Sequence, residues 1–206
     1  MAITTSLQAL ESREFGPAHA GHLLQRAGFG GPPHQVAELT AMGLDKAVDH
    51  LVNFEQVPAD DLARPEADPD VIRPLTQKER RMMAAARRAG DQEAADEARR
   101  RFLSRRRDDQ IMMENLRRWW IRRMIQTRRP LEEKLVLLWH GHFATRHRNV
   151  RDAYLMIQQN EFFRRHAASS FVDLARGIVR DPAMLRFLNN DRNIKRQPNE
   201  NLAREL

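Results

Sequence analysis

Apolar residues along this chain recur at three- and four-residue steps, and prolines and glycines divide them into segments. Pro17 opens a short helix reaching Ala27, and Gly28-Phe29-Gly30-Gly31-Pro32-Pro33 ends it. The pattern predicts a turn there with Phe29 buried. Val36, Leu39, Leu44, Val48, Leu51 and Val52 then predict two amphipathic helices parted at Gly43. Residues 53–74 hold Pro58, Pro65, Pro69 and Pro74 among several aspartates and read as an irregular linker.

Residues 75–129 contain no proline, and Gly90 is their only glycine. They predict one long basic helix, or two helices broken near Gly90-Asp91. Met113, Leu116, Trp120 and Met124 step along one face of the second half, widened by Met112, Trp119 and Ile125. The first half offers little beyond Met82, Met83, Phe102 and Leu103, so it reads as an exposed helical arm.

Pro130 restarts a helix with Glu132 and Glu133 in its first turn, where negative charge suits the helix dipole. Leu131, Leu135 and Leu138 predict its buried stripe, with Val136 and Trp139 alongside. Residues 144–150 are basic and polar, a loop. Helices follow over 152–166 and 170–179. Asp181-Pro182 is an N-cap followed by a first-turn proline, opening a helix to Leu188. After a polar loop to Pro198, Asn199 caps a last helix that reaches Leu206 with its Leu202/Leu206 pattern still running. So short a helix is marginal unless docked. The expectation is an all-α, multi-helix globular domain over 1–206, with a long Arg-rich helix or helical hairpin, truncated at its C-terminus.

Composition agrees with helix: 6% of residues are aromatic, and Ala, Arg, Leu, Glu and Met dominate. The absence of cysteine excludes disulfides and thiolate metal sites. No run reaches the roughly 18 apolar residues of a membrane span, and residues 1–6 lack the features of a secretory leader. A cytoplasmic location is the default expectation.

The formal charge of +7 is uneven. Lys78 to Arg129 carries 17 basic and 8 acidic residues, and 31 of the chain's 35 basic residues are Arg. Either this is a solvated helix face, or it binds an anionic polymer or membrane headgroups. The paired arginines fall on several faces and lack interleaved aromatics, which weighs against base stacking on nucleic acid. The Gly28–Gly31 run follows a helix rather than a strand, which argues against a phosphate loop of the dinucleotide or nucleotide type.

The candidate chemistry lies in Trp139-His140-Gly141-His142-Phe143 and in the tail. Within a helix, residues two apart point about 200° from one another. His140 and His142 therefore serve one site only if the helix stops at Gly141. His147 is a third candidate. In the tail, Glu200 and Glu205 are the carboxylates that would join the histidines around a divalent metal, with Asn199, Asn201 and Arg204 as ligand-binding groups. The plain alternative is a capped helix with Glu200–Arg204 and Asn201–Glu205 at i, i+4 spacing.

Four blocks carry a resemblance: His22-Leu23-Leu24-Gln25-Arg26-Ala27-Gly28-Phe29-Gly30, Leu137-Leu138-Trp139-His140-Gly141-His142-Phe143, Asp181-Pro182-Ala183-Met184-Leu185, and Pro198-Asn199-Glu200-Asn201-Leu202-Ala203-Arg204-Glu205-Leu206. Together and in this order they resemble the bacterial family named for domain of unknown function 1800. The resemblance implies that 1–206 is the N-terminal part of a longer family domain. It also implies large proteins, often exported, often accompanied by a sulfatase-like companion protein. It implies no settled activity. Asn189 stands where that family usually has Asp, which removes one carboxylate.

Two functional expectations follow. One is a His/Glu site binding a divalent metal or a polar ligand. The other is a non-enzymatic scaffold that binds an anionic partner through the Arg-rich helix. A third reading makes the polar motifs purely structural, holding helices together by buried hydrogen bonds.

Overall fold

The computed structural model describes residues 9–59, 62–196 and 198–205. Among them are eleven α-helices: α1 Pro17–Arg26, α2 Pro33–Met42, α3 Leu44–Val52, α4 Gln77–Ala89, α5 Gln92–Gln126, α6 Pro130–His142, α7 His147–Val150, α8 Ala153–Arg165, α9 Phe171–Ile178, α10 Pro182–Phe187 and α11 Asn201–Glu205. The protein is all-α. No helix among the described residues is long and apolar enough to cross a membrane.

Contacts divide the chain into two compact units. One comprises residues 1–62 and 122–138, the other 63–121 and 139–206. In the first, Ala20 and Leu24 of α1, Leu39 of α2 and Ala47 and Leu51 of α3 form a buried cluster edged by Phe15, Leu23 and Val36. Gly28 lets the end of α1 sit against the start of α6. A Cβ there would lie 2.7 Å from the Pro130 ring and 3.0 Å from the Leu24 carbonyl. Phe29 is 41% exposed rather than buried, with the Lys134 ammonium 5.2 Å over its ring. Lys134 also donates to the Gly28 carbonyl at 2.9 Å, so the turn is held by a cation rather than by burial.

Polar groups dominate the buried side of α6 in this unit. Glu132, Glu133 and Val136 are buried, while Leu138 is 56% exposed and Leu131 and Leu135 are half-buried, so the expected leucine stripe is displaced. Arg123 is the cause. Its Nε donates to Glu133 and its Nη2 to Glu132 at 3.1 Å. Arg129 completes the network, donating to Glu132 at 3.4 Å and to the Val57 carbonyl at 2.7 Å. Burial pulls the Arg123 guanidinium down, but the two carboxylates outweigh it and hold it above its ordinary value.

In the second unit the basic segment is two helices, broken at Gly90, whose φ of 66° is the left-handed helix stop that glycine adopts freely. Thr76 and Glu79 cap α4 reciprocally: Glu79 N donates to Thr76 Oγ1 at 3.2 Å and Thr76 N to Glu79 Oε2 at 2.7 Å. Arg105 of α5 reaches back to Glu79 at 3.7 Å, which ties the pair into a hairpin. No residue of α4 is buried, in line with its sparse apolar content. Phe163, Ile157, Leu174 and Ile178 are the largest fully buried apolar side chains, and each contributes roughly 1.5–3 kcal/mol by leaving water. Asp152, Ser170 and Asp181 cap α8, α9 and α10 through their side chains, Asp181 with Pro182 in the first turn as the sequence predicts.

Candidate functional site

The buried face of α5 runs through Asp109, Met112, Leu116, Trp119 and Arg123, while Met113, Trp120 and Met124 are only half-buried. The steps are three and four, so this is one helical stripe, displaced by one residue from the apolar pattern. The reason is that its two ends are charged. A carboxylate and a guanidinium occupy stripe positions because each has buried partners.

Helix α6 does not stop at Gly141 but runs through His142, which separates the two histidines. His140 is half-buried between Trp120 and Phe163, both with ring centroids 4.8 Å away. Its Nε2 lies 3.3 Å from Asn160 Nδ2. Asn160 Oδ1 in turn accepts from Arg164 at 2.8 Å. Burial, with the Arg164 charge adding to it, pulls the imidazole down to about 4, so it is neutral at pH 7. His142 is exposed and lies edge-on to Phe143 and Phe171.

The tail residues are engaged with one another. Glu200 and Glu205 pair with Arg204 at 3.4 and 3.2 Å, and Arg204 also donates to Asn201 at 3.0 Å. Asn199 accepts from Asn201 N at 2.9 Å and donates to the Leu188 and Asn189 carbonyls at 3.4 and 3.3 Å, tying down the loop before α11. Among the described residues no group of three or more His, Asp or Glu is placed to hold a metal ion.

What the second unit does assemble is a concentration of arginine. A cleft of about 760 Å³ is lined by Arg73, Arg106, Arg148, Arg151, Arg186 and Arg192, with Asp191 as the one acidic side chain in its wall. Two of the six are neutralised locally. Arg73 forks onto Glu79 at 2.9 and 2.8 Å, and Arg186 meets Asp152 at 2.8 Å. The Arg73 fork and the Thr76 cap hold the Glu79 carboxyl far below the usual carboxylate range. Arg148, Arg151 and Arg192 have no acidic partner among the described residues.

Backbone strain converges on the same wall. Arg151 (φ 56°) and Asn189 (φ 58°) are the two non-glycine residues in the left-handed region among those described, and both line the cleft. Asn tolerates that conformation through its short polar side chain; Arg does not, at roughly 1–2 kcal/mol. At Arg151 it turns the chain from α7 into α8 and leaves its carbonyl to accept from Arg106 Nη1 at 2.9 Å.

A second cleft, of about 700 Å³, shares Arg106, Arg148 and Arg151 and adds Asp109 and His147. Asp109 is 2% exposed. Its Oδ1 accepts from Ala153 N at 2.6 Å and its Oδ2 lies 2.9 Å from His147 Nε2. Burial pushes this carboxyl up, but the bonds from His147 and Ala153 outweigh it and leave the group below its ordinary value. Deeper in the unit, Gln159 donates to Asp181 at 2.7 Å and accepts from Thr145. Burial pushes Asp181 up despite its bonds from Met184 N and Gln159.

The pattern of apolar residues missed Asp109 and the arginines of 148–192. Asp109 does carry a signal: it falls in step with Met112, Leu116 and Trp119, and a carboxylate on such a stripe needs a partner. The arginines come from segments far apart in the chain and leave no spacing to read.

Fold and cleft together define an all-α protein with an arginine-lined depression. The chain belongs to the DUF1800 family, described as protein of unknown function, whose pattern it matches over residues 22–206. No curated protein and no solved structure matches it.

Proposed function

We propose that this chain binds a small phosphate-bearing anion in the cleft walled by Arg106, Arg148, Arg151 and Arg192. The observation that carries this reading is six arginines against one aspartate around a single concavity of about 760 Å³. A guanidinium is always charged and offers a planar fork of donors that matches phosphate oxygens two at a time. Gathering several such groups on one wall repels them from one another, and an anionic ligand removes that repulsion.

The hairpin surface supports the scaffold alternative less well. Some of the arginines along α5 pair with their own helix, Arg101 with Glu97 and Arg118 with Glu114, at i, i+4 spacing. Arg99, Arg100, Arg107 and Arg122 have no acidic partner among the described residues, but they stand exposed along one helix, whereas Arg106, Arg148, Arg151 and Arg192 converge on one cleft.

Titration calorimetry with pyrophosphate tests the reading. Binding weakens as salt rises, because exposed charges are screened. Arg148→Ala and Arg192→Ala each weaken it roughly tenfold, the loss of one charge-assisted hydrogen bond. Absence of binding at low ionic strength, or affinity untouched by both substitutions, overturns it.

A further inference from the structure

We propose that His147, oriented by Asp109, is the general base of a phosphate-ester hydrolysis in the cleft it shares with Arg106, Arg148 and Arg151. The proposal rests on the anion-binding reading and adds a reaction to it.

Asp109 is acceptor-only when ionised, and its two oxygens are taken by Ala153 N and by His147 Nε2. In the uncharged form of the imidazole that pairing puts the proton on Nε2 and leaves the lone pair on Nδ1. No described residue bonds to Nδ1. Among the described residues there is also no side-chain nitrogen or oxygen that is both buried and unpartnered. Nδ1 is therefore reached by solvent, although the His147 side chain is only 15% exposed. His147 lines a cleft of about 700 Å³, and three of the four arginines in its wall, Arg106, Arg148 and Arg151, continue into the larger cleft. An oriented base open to solvent and a wall of four arginines against Asp109 and Glu114 thus meet in one depression.

The reaction balances with water alone. Nδ1 of His147 takes a proton from water as the water oxygen bonds to phosphorus. The bond from phosphorus to the alcohol oxygen breaks, and its electron pair stays on that oxygen. That oxygen takes a proton from solvent on the far side of phosphorus and His147 gives its own back to solvent, releasing an alcohol and a phosphate with one ester bond fewer. The arginines offset the charge on the non-bridging oxygens. Asp109 touches neither water nor substrate; it is a positioning residue that keeps the proton on Nε2.

The full chain is assayed with para-nitrophenyl phosphate and bis(para-nitrophenyl) phosphate, with pyrophosphate affinity measured in parallel. The expected result is turnover of at least one probe, the preferred probe telling monoester from diester. His147→Gln separates catalysis from structure, because its amide still donates to Asp109 but cannot take a proton. It lowers kcat by about 100-fold and leaves KM, pyrophosphate affinity and melting temperature unchanged. Pyrophosphate binding without hydrolysis of either probe overturns the catalytic proposal and leaves the binding reading standing. Failure to bind pyrophosphate overturns both. A His147→Gln variant with wild-type kcat, or one whose loss comes through KM or melting temperature, also overturns the catalytic role.

Discussion

Arg123 donates through Nε to Glu133, and the two side chains are 9% and 0% exposed. A charge pair this deep has lost its hydration and is held by its partners instead. Glu132 supplies a second carboxylate on the same guanidinium at 3.1 Å. Arg123→Ala removes the cation from both acids and leaves their negative charges in a low-dielectric setting. The expected loss is about 3–5 kcal/mol of unfolding free energy. Replacing the pair together, Arg123→Met with Glu133→Leu, costs less than the single change, because Glu133 is no longer left as a buried charge and Glu132 keeps Arg129 at 3.4 Å. Urea denaturation of the two variants measures both values; equal losses contradict the argument.

His140 makes stability depend on pH in a defined window. Its folded value is about 4 against an ordinary 6.5, so between these the unfolded chain binds the extra proton. Stability from this group is complete above pH 6.5 and is lost as pH falls towards 4, at most about 3 kcal/mol for such a shift. His140→Leu fits the pocket between Trp120 and Phe163 and cannot titrate. Its urea midpoint is expected to be flatter than the wild type's across this window. Parallel curves for the two proteins would place the pH dependence elsewhere.

The helices were legible because local chemistry marks their ends. Pro130, Asp181-Pro182 and Gly90 act within one turn of themselves, and the structure uses each as the pattern implies. Which face a helix buries was less legible. On α5 the stripe begins and ends on Asp109 and Arg123, and on α6 the glutamates displace leucine, so apolar residues alone point one position away. The cleft was not legible at all. Arg106, Arg148, Arg186 and Arg192 meet only because α5, α7, α10 and the turn Asn190–Arg192 come together, and that is a tertiary fact with no sequence period. The histidine motif draws attention because imidazole is chemically versatile, yet His140 is held by Trp120, Phe163 and Asn160. His147, which the pattern places in a loop and the structure at the start of α7, has the open nitrogen.

Gly177 shows how closely α9 approaches α8. A Cβ at this position would lie 2.3 Å from the Phe162 ring, too near for any real carbon contact. The ring is rigid, so either Phe162 leaves its rotamer or α9 moves away. Gly177→Ala is therefore expected to destabilise by about 1–3 kcal/mol despite the better helix propensity of alanine. Gly21 of α1 is the control, since a Cβ there meets nothing within 4 Å. Gly21→Ala is expected to be neutral or stabilising, by up to about 1 kcal/mol. Thermal melts of both variants check the contrast, and equal shifts would remove the steric explanation.

Arg151 sets stability against binding. Its φ of 56° is costly for any side chain with a Cβ and free for glycine. Its side chain lines both clefts, and its carbonyl accepts from Arg106, a bond that a glycine would keep. Arg151→Gly therefore relieves the backbone strain and leaves the Arg106 contact in place. The side chain makes no ion pair with an acid among the described residues, and the bond lost in exchange is the exposed one from its Nε to the Arg148 carbonyl at 3.3 Å. Glycine gives back part of the gain through its freer unfolded chain. The expected net effect is a stabilisation of up to about 1 kcal/mol, seen as a raised melting temperature. The same variant is expected to bind pyrophosphate more weakly, because one unpaired guanidinium has left the wall. Arg151→Ala keeps the strain and loses the guanidinium, so it binds as weakly as the glycine variant without its added stability. A glycine variant that is no more stable than the alanine variant would show that the left-handed turn costs nothing here, and one that binds as tightly as wild type would take Arg151 out of the anion site.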